Sequence, residues 1–186
     1  MMTSNDSRRI NGFEVDCFKK YDRKNCARII RNIYGEILMA HSDGKTAPVP
    51  IFEDCTFPEA KTGNDSTSFD LVFYKKQLGK QTPHGIPMVF QIRVAGSDYH
   101  MYCTEEGSRK VVKFKEGIAP TNVAENMKNI IFYQQCFDGM YSKFESAWAC
   151  GWFLCTEETN RLHIITLKKA EKNNDEMMAV SLDNVP

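Results

Sequence analysis

Apolar and polar residues alternate with period two in short runs along most of the chain, and the runs are bounded by Gly, Pro, Asn or Asp. That is the pattern of strands with one buried face, joined by turns. The runs predicted as strands are 28–33, 36–40, 49–52, 69–74, 88–94, 99–103, 111–115, 130–134, 141–146, 151–156, 163–167 and 177–181. Between them stand good reversal sequences: Tyr34-Gly35, Ser42-Asp43-Gly44, Gly96-Ser97-Asp98, Glu106-Gly107-Ser108 and Asp138-Gly139. Segment 77–87 holds Gly79, Pro83, Gly85 and Pro87 and reads as a long exposed loop. Residues 117–128 are a second connection, in which 121–126 suits a short helical turn, and 171–176 is a third.

About twelve short strands imply an all-β, closed antiparallel architecture, because an open sheet so wide would leave edges to protect. An internal repeat sharpens the expectation. Cys103-Thr104-Glu105-Glu106 recurs as Cys155-Thr156-Glu157-Glu158, with Arg109 and Arg161 following at the same offset. Each copy has an aromatic-rich strand before it and a strand ending in lysines after it. Three units of roughly fifty residues, each of about four strands, give a β-trefoil with a pseudo-threefold repeat.

Composition narrows the function. The 24 Lys and Arg balance the 24 Asp and Glu in 186 residues, so bulk charge supplies no attraction for nucleic acid, heparin or acidic membranes. No apolar run of signal-peptide length stands before Ile29, and none approaches membrane-spanning length, so a cytoplasmic chain without membrane insertion is expected. The seven cysteines are an odd number, scattered, and expected to be reduced thiols. Tight C-x-x-C or H-x-x-x-H pairs are missing, so neither a metal nor another cofactor is expected. Nucleophile, zinc, P-loop and dinucleotide motifs are missing too, which argues against an enzyme and leaves no catalytic residue to name.

Phe144-Glu145-Ser146-Ala147, then four residues, then Trp152-Phe153-Leu154-Cys155-Thr156, resembles the C-terminal signature of the interleukin-1 superfamily. Five further segments resemble one branch of that family, in its order: Ile30-Arg31-Asn32, Pro50-Ile51-Phe52-Glu53-Asp54, Val112-Lys113-Phe114-Lys115-Glu116, Asn129-Ile130-Ile131-Phe132-Tyr133-Gln134 and Leu167-Lys168-Lys169. The chain departs from the pattern at Arg161 and Gly35, where acidic residues would fit.

The resemblance implies a monomeric pro-inflammatory cytokine that works by occupying a two-chain cell-surface receptor. It implies a leader over 1–16 and a β-trefoil domain over 17–186, with Phe13-Glu14-Val15-Asp16 as the site of an inflammatory caspase that cuts after Asp16. Irregular chain before the first strand is expected there, where proteolysis is easiest. Release without a signal peptide and capture by a soluble decoy binding protein are implied as well. Basic residues cluster at Lys19, Lys20, Arg23, Lys24, Arg28 and Arg31, and again at Lys110, Lys113 and Lys115. Of these, Lys20, Lys24, Arg31, Lys110 and Lys115 fall where the family presents receptor-contacting residues. Lys110 and Lys115 are both expected at strand ends, outside the core. A β-trefoil that binds carbohydrate or inhibits proteases is the alternative. A lectin repeats an aromatic and an Asp or Asn in each lobe, and an inhibitor carries a disulfide-braced loop; the sequence shows neither pattern.

Overall fold

The structure is a computed structural model that describes residues 9–10, 13–14, 16–22, 26–54, 66–76, 85–171 and 175–185. Its strands are β1 (Arg9–Ile10), β2 (Phe13–Glu14), β3 (Asp16–Lys20), β4 (Cys26–Arg31), β5 (Ile37–His41), β6 (Val49–Glu53), β7 (Ser68–Lys76) and β8 (Ile86–Val94). Then come β9 (Ser97–Glu106), β10 (Arg109–Glu116), β11 (Asn122–Ala124), β12 (Phe132–Asp138), β13 (Tyr141–Ser146), β14 (Trp152–Thr159), β15 (Leu162–Lys169) and β16 (Val180–Asn184).

Six strands close a ring. β4 pairs with β7, β7 with β8, β8 with β12, β12 with β13, β13 with β16, and β16 returns to β4, always antiparallel. Three hairpins, β5–β6, β9–β10 and β14–β15, gather at one end, where β15 bridges both β10 and β6. Each lobe thus supplies two barrel strands around one hairpin, which is the β-trefoil expected from the alternation and the repeat.

The repeat is structural for its first half only. Cys103 and Cys155 are both buried on the second strand of their lobes. Cys103 pairs with Val112, and Cys155 with Thr166. The hairpin turns, however, fall at Gly107-Ser108 and at Asn160-Arg161, so the third-lobe hairpin is longer. Arg109 therefore starts a strand, while Arg161 sits in the turn with φ 66°.

Alternation along the barrel strands divides two cores. Leu71, Met88, Phe90, Phe132 and Phe144 point into the barrel, where the ring of Phe90 meets Phe132 and Phe144 edge-on at 5.5 and 5.0 Å. Their sequence neighbours Val72, Val89, Ile131 and Tyr133 point outward and are nevertheless buried. What covers them is a second layer: β3 pairs with β7 and with β11, and brings Phe18 and Val123 onto that outer face. The Tyr74 hydroxyl reaches over to donate to the Pro120 carbonyl, and burial pushes its phenol well above the usual range. Gly85, with φ 120°, passes β12 so closely that a Cβ would strike the Gln134 carbonyl.

The structure corrects the sequence reading in four places. Strands precede residue 28, and Asp16 opens β3 rather than lying in irregular chain. Residues 121–126 do not make a helical turn: β11 occupies 122–124, and the 3-10 turn is Glu125–Ile130. The loop predicted over 77–87 lies outside the described residues at 77–84, and its last two residues, Ile86 and Pro87, already belong to β8. The turn predicted at Gly96-Ser97-Asp98 begins one residue earlier, at Ala95-Gly96, because Val94 pairs with Ser97.

Phe18 is 3% exposed and is the largest side chain β3 contributes to the outer core. Phe18→Ala is expected to lower unfolding stability by ~3 kcal/mol in urea denaturation, the cost of a large-to-small change with a residual cavity. A loss below ~1 kcal/mol would mean the layer is not part of the cooperative unit.

Candidate functional site

The described residues among those expected to contact a receptor lie on three different strands, β3, β4 and β10. Lys20 ends β3, half-buried opposite Tyr74, and its backbone N–H donates to the Thr121 carbonyl at 2.8 Å. Lys24 lies outside the described residues. Arg31 ends β4 with its guanidinium committed: Nε donates to Asp183 Oδ2 at 2.7 Å, and Nη1 to the Gly35 carbonyl at 2.8 Å. That ion pair straddles the seam where β16 meets β4. Lys110 and Lys115 share β10 but are five residues apart, so they leave opposite faces of the strand, roughly 17 Å apart along it.

Lys110 is held rather than presented. Its Nζ lies 5.3 Å from the Trp148 ring centre and 4.9 Å from that of Trp152, and it donates to Glu105 Oε1 at 2.7 Å. These are the chain's two tryptophans. Their placement follows from the signature that suggested the fold. Phe144 anchors the strand in the core, Ser146 Oγ accepts from the N–H groups of Trp148 and Ala149 at 3.2 and 3.1 Å, and Glu145 Oε2 accepts from Gly151 N–H at 2.8 Å. The turn so fixed brings both tryptophan rings against the ammonium. Sequence reading missed this because the partners are distant in the chain and no short-range pattern joins them.

Lys115, by contrast, is exposed on β10, opposite His100. His100 is buried, and its Nδ1–H donates to the Gly117 carbonyl at 2.8 Å. Burial holds the imidazole pKa below its ordinary value and the Lys115 charge adds to this, while the Gly117 bond opposes both.

A second grouping missed by the sequence reading surrounds Arg31. Tyr34 is 56% exposed and stacks on His163 at 4.9 Å and 9°. His163 Nδ1–H donates to Glu36 Oε1 at 2.5 Å, and the Asn32 amide donates to the same oxygen at 2.9 Å. The Tyr34 hydroxyl donates to Met177 Sδ at 3.7 Å. The Tyr34-Gly35 reversal was legible; its partner on β15 was not.

Cys26, Cys103, Cys136, Cys150 and Cys155 are free thiols. Burial pushes Cys103 up to about 12 and Cys155 up to about 11, which makes both inert, whereas Cys136 and Cys150 are exposed. The Asp16 and Cys17 side chains and all of Cys55 lie outside the described parts. Among the described residues, no group of three His, Cys, Asp or Glu could hold a metal ion, and no helix is long and apolar enough to cross a membrane.

A closed β-trefoil hosts many functions, so the fold by itself assigns none and the family must decide. The sequence profile of the interleukin-1 and interleukin-18 family matches residues 59–180. Interleukin-18 of Gallus gallus is 31% identical over 165 residues, covering 87% of this chain and 80% of the relative. Interleukin-18 of Homo sapiens is 27% identical over 173 residues, covering 92% and 82%. The crystal structure of chicken interleukin-1β superposes with a TM-score of 0.62 at 17% identity, over 90% of this chain and 99% of that one. The chain belongs to the interleukin-1/interleukin-18 family: it is an interleukin-18-like cytokine and not an enzyme.

Two outcomes check the electrostatics. Lys110→Ala is expected to cost about 1 kcal/mol of stability, the scale of a partly desolvated cation–π contact, and to shift tryptophan fluorescence; Lys115→Ala should do neither. Equal behaviour of the two variants in chemical denaturation would remove the tryptophan clamp. His100 makes stability depend on pH. Its folded-state pKa lies below the unfolded value near 6.5, so the unfolded chain takes up the proton first. The contribution is complete above about pH 6.5 and is lost as pH falls through the folded-state pKa. Denaturation from pH 7.5 to 5 should show a decline that His100→Gln flattens; an unchanged slope would contradict this.

Proposed function

We propose that this chain is a pro-inflammatory cytokine made as a cytoplasmic precursor, cut after Asp16 by an inflammatory caspase, released without a signal peptide, and active as a monomer on a two-chain interleukin-18-type receptor. The observation that carries this reading is the similarity to interleukin-18 along nearly the whole chain. On this reading 1–16 is the leader and 17–186 the active domain. A soluble decoy binding protein would compete for the same surfaces.

On this reading the basic residues differ in how freely they can meet a receptor. Lys115 is exposed and Lys20 half-exposed, so both are available to an acidic partner face. Arg31 and Lys110 reach a partner only by sharing or leaving Asp183 and Glu105. Charge complementarity of this kind sets association rate and partner choice more than raw affinity.

The processing step has local support in the backbone. Phe18 pairs with Val123 and Asp16 with Ala124, so the ladder skips Cys17 and the bond to be cut lies at an irregularity. A protease that reads an extended segment can lift Asp16 from this end of β3 without disturbing Phe18, which stays under the outer core. The new chain would begin beside the basic residues Lys19 and Lys20.

The test uses the full chain, Asp16→Ala and Lys115→Glu, each incubated with an inflammatory caspase and applied to cells carrying the two-chain receptor. The wild type should be cut to a product starting at Cys17 and signal only after cutting; Asp16→Ala should stay whole and silent. Cleaved Lys115→Glu should fold and lose about tenfold in potency, equivalent to ~1.4 kcal/mol. Full signalling by the uncut chain removes the leader's role. Unchanged potency of the folded lysine variant removes Lys115 from the interface.

A further inference from the structure

We propose that the hairpin end of the barrel is a binding site for an uncharged, apolar small molecule, seated where β6, β10 and β15 converge. A cavity of about 430 Å³ opens there, within the size range of small-molecule sites. Each lobe contributes one half-buried aliphatic side chain to it: Ile51, Val111 and Ile164. Their neighbours Phe52, Val112 and Ile165 face the barrel core, so strand alternation turns these three toward the opening.

The cavity exists because the pseudo-threefold is broken at this end. β10 bridges β15 at Val111 and Thr166, and β15 bridges β6 at Ile164 and Ile51. Between β6 and β10 the corresponding bridge is absent among the described pairings, although the two strands lie side by side. Pro50 brings no N–H to such a bridge. One wall is the segment 46–50, and it is preset: the Asp43 carboxylate accepts from the backbone N–H groups of Lys45 and Thr46 at 2.8 and 2.9 Å.

Charge selects the occupant. Glu106 and Lys113 are the only charged residues lining the cavity among the described residues, and they pair with each other. The lining therefore offers no unbalanced charge to recruit an ion, and a charged ligand would lose hydration without compensation. The Thr166 hydroxyl donates to the Lys110 carbonyl, which leaves its oxygen as an acceptor for a single polar group. A bound molecule spans β6 and β10, replaces the missing bridge, and stabilises the hairpin end by mass action.

The probe pair is 1-naphthol and its anionic counterpart 1-naphthalenesulfonate, followed by amide chemical shifts on the full chain. Saturable shifts confined to 46–51, 111–114 and 164–166 with 1-naphthol, at least tenfold weaker with the sulfonate, together with a raised melting temperature, are the expected result. Val49, half exposed at the mouth, is replaced in Val49→Trp to cover the opening, and Val111→Phe fills the floor; each should abolish the shifts. Val49→Trp decides the matter if the floor variant does not fold. Shifts scattered over the surface, no saturation, equal binding of the sulfonate, or binding unchanged in the folded variants would overturn the proposal.

Discussion

The structure depends on the ladder between β4 and β16, where the chain's last strand returns to the first strand of the barrel. Arg28 through Arg31 pair there with Asn184 through Ser181. Without that seam the ring is an open sheet with two free edges, and the aromatic centre around Phe90 has no wall behind it. The Arg31–Asp183 ion pair lies on the seam, with side chains 20% and 38% exposed. Its own contribution is therefore small, but it ties Arg31, a residue proposed for recognition, to the place where the barrel closes. If the proposed receptor role holds, changing Arg31 would act on closure and on binding at once, whereas Lys115 would offer a cleaner handle on binding alone.

Closure also explains why the outer layer is needed. A barrel strand buried on both sides cannot show the simple alternation of a half-exposed one. Leu71-Val72-Phe73-Tyr74 and Met88-Val89-Phe90 are apolar at consecutive positions. Left bare, Val72, Tyr74, Val89, Ile131 and Tyr133 would form a continuous apolar patch on the wall. Phe18 and Val123 remove it from water. The run of consecutive apolar residues was thus a sign of a covering element, readable in the sequence but not read as such.

What could be seen in advance divides along the same line. Regularities of sequence carried the fold: the strand positions and most turns follow from nearest neighbours and period two, and the Cys103 and Cys155 repeat from the identity of two distant segments. β11 is three residues long, and β3 carries charged residues at Asp16, Lys19 and Lys20 around Phe18, so neither shows an apolar alternation and the outer layer escaped notice. The site was legible as residue types and not as geometry. Lys110 could be picked out as basic, but its tryptophan clamp joins two lobes that only the pseudo-threefold brings together. The third-lobe hairpin shows how a true repeat can mislead: Arg161 matches Arg109 in spacing, yet it occupies a turn.

The signature segment is where packing and recognition become one problem. Phe144 is needed to fill the barrel, Ser146 and Glu145 to fold back the turn, and the turn to place Trp148 and Trp152 against Lys110. A cation in contact with two aromatic rings can move toward a partner only by giving up contacts of comparable strength. Any partner that draws on Lys110 must therefore replace the clamp, for instance with a carboxylate that shares the ammonium while both rings stay in place. Lys115 carries no such requirement, since it stands on the opposite face of the same strand beside a buried, neutral-leaning His100. Two lysines that look equivalent in sequence thus set different demands on whatever binds them, one for shape around the cation and one for charge alone.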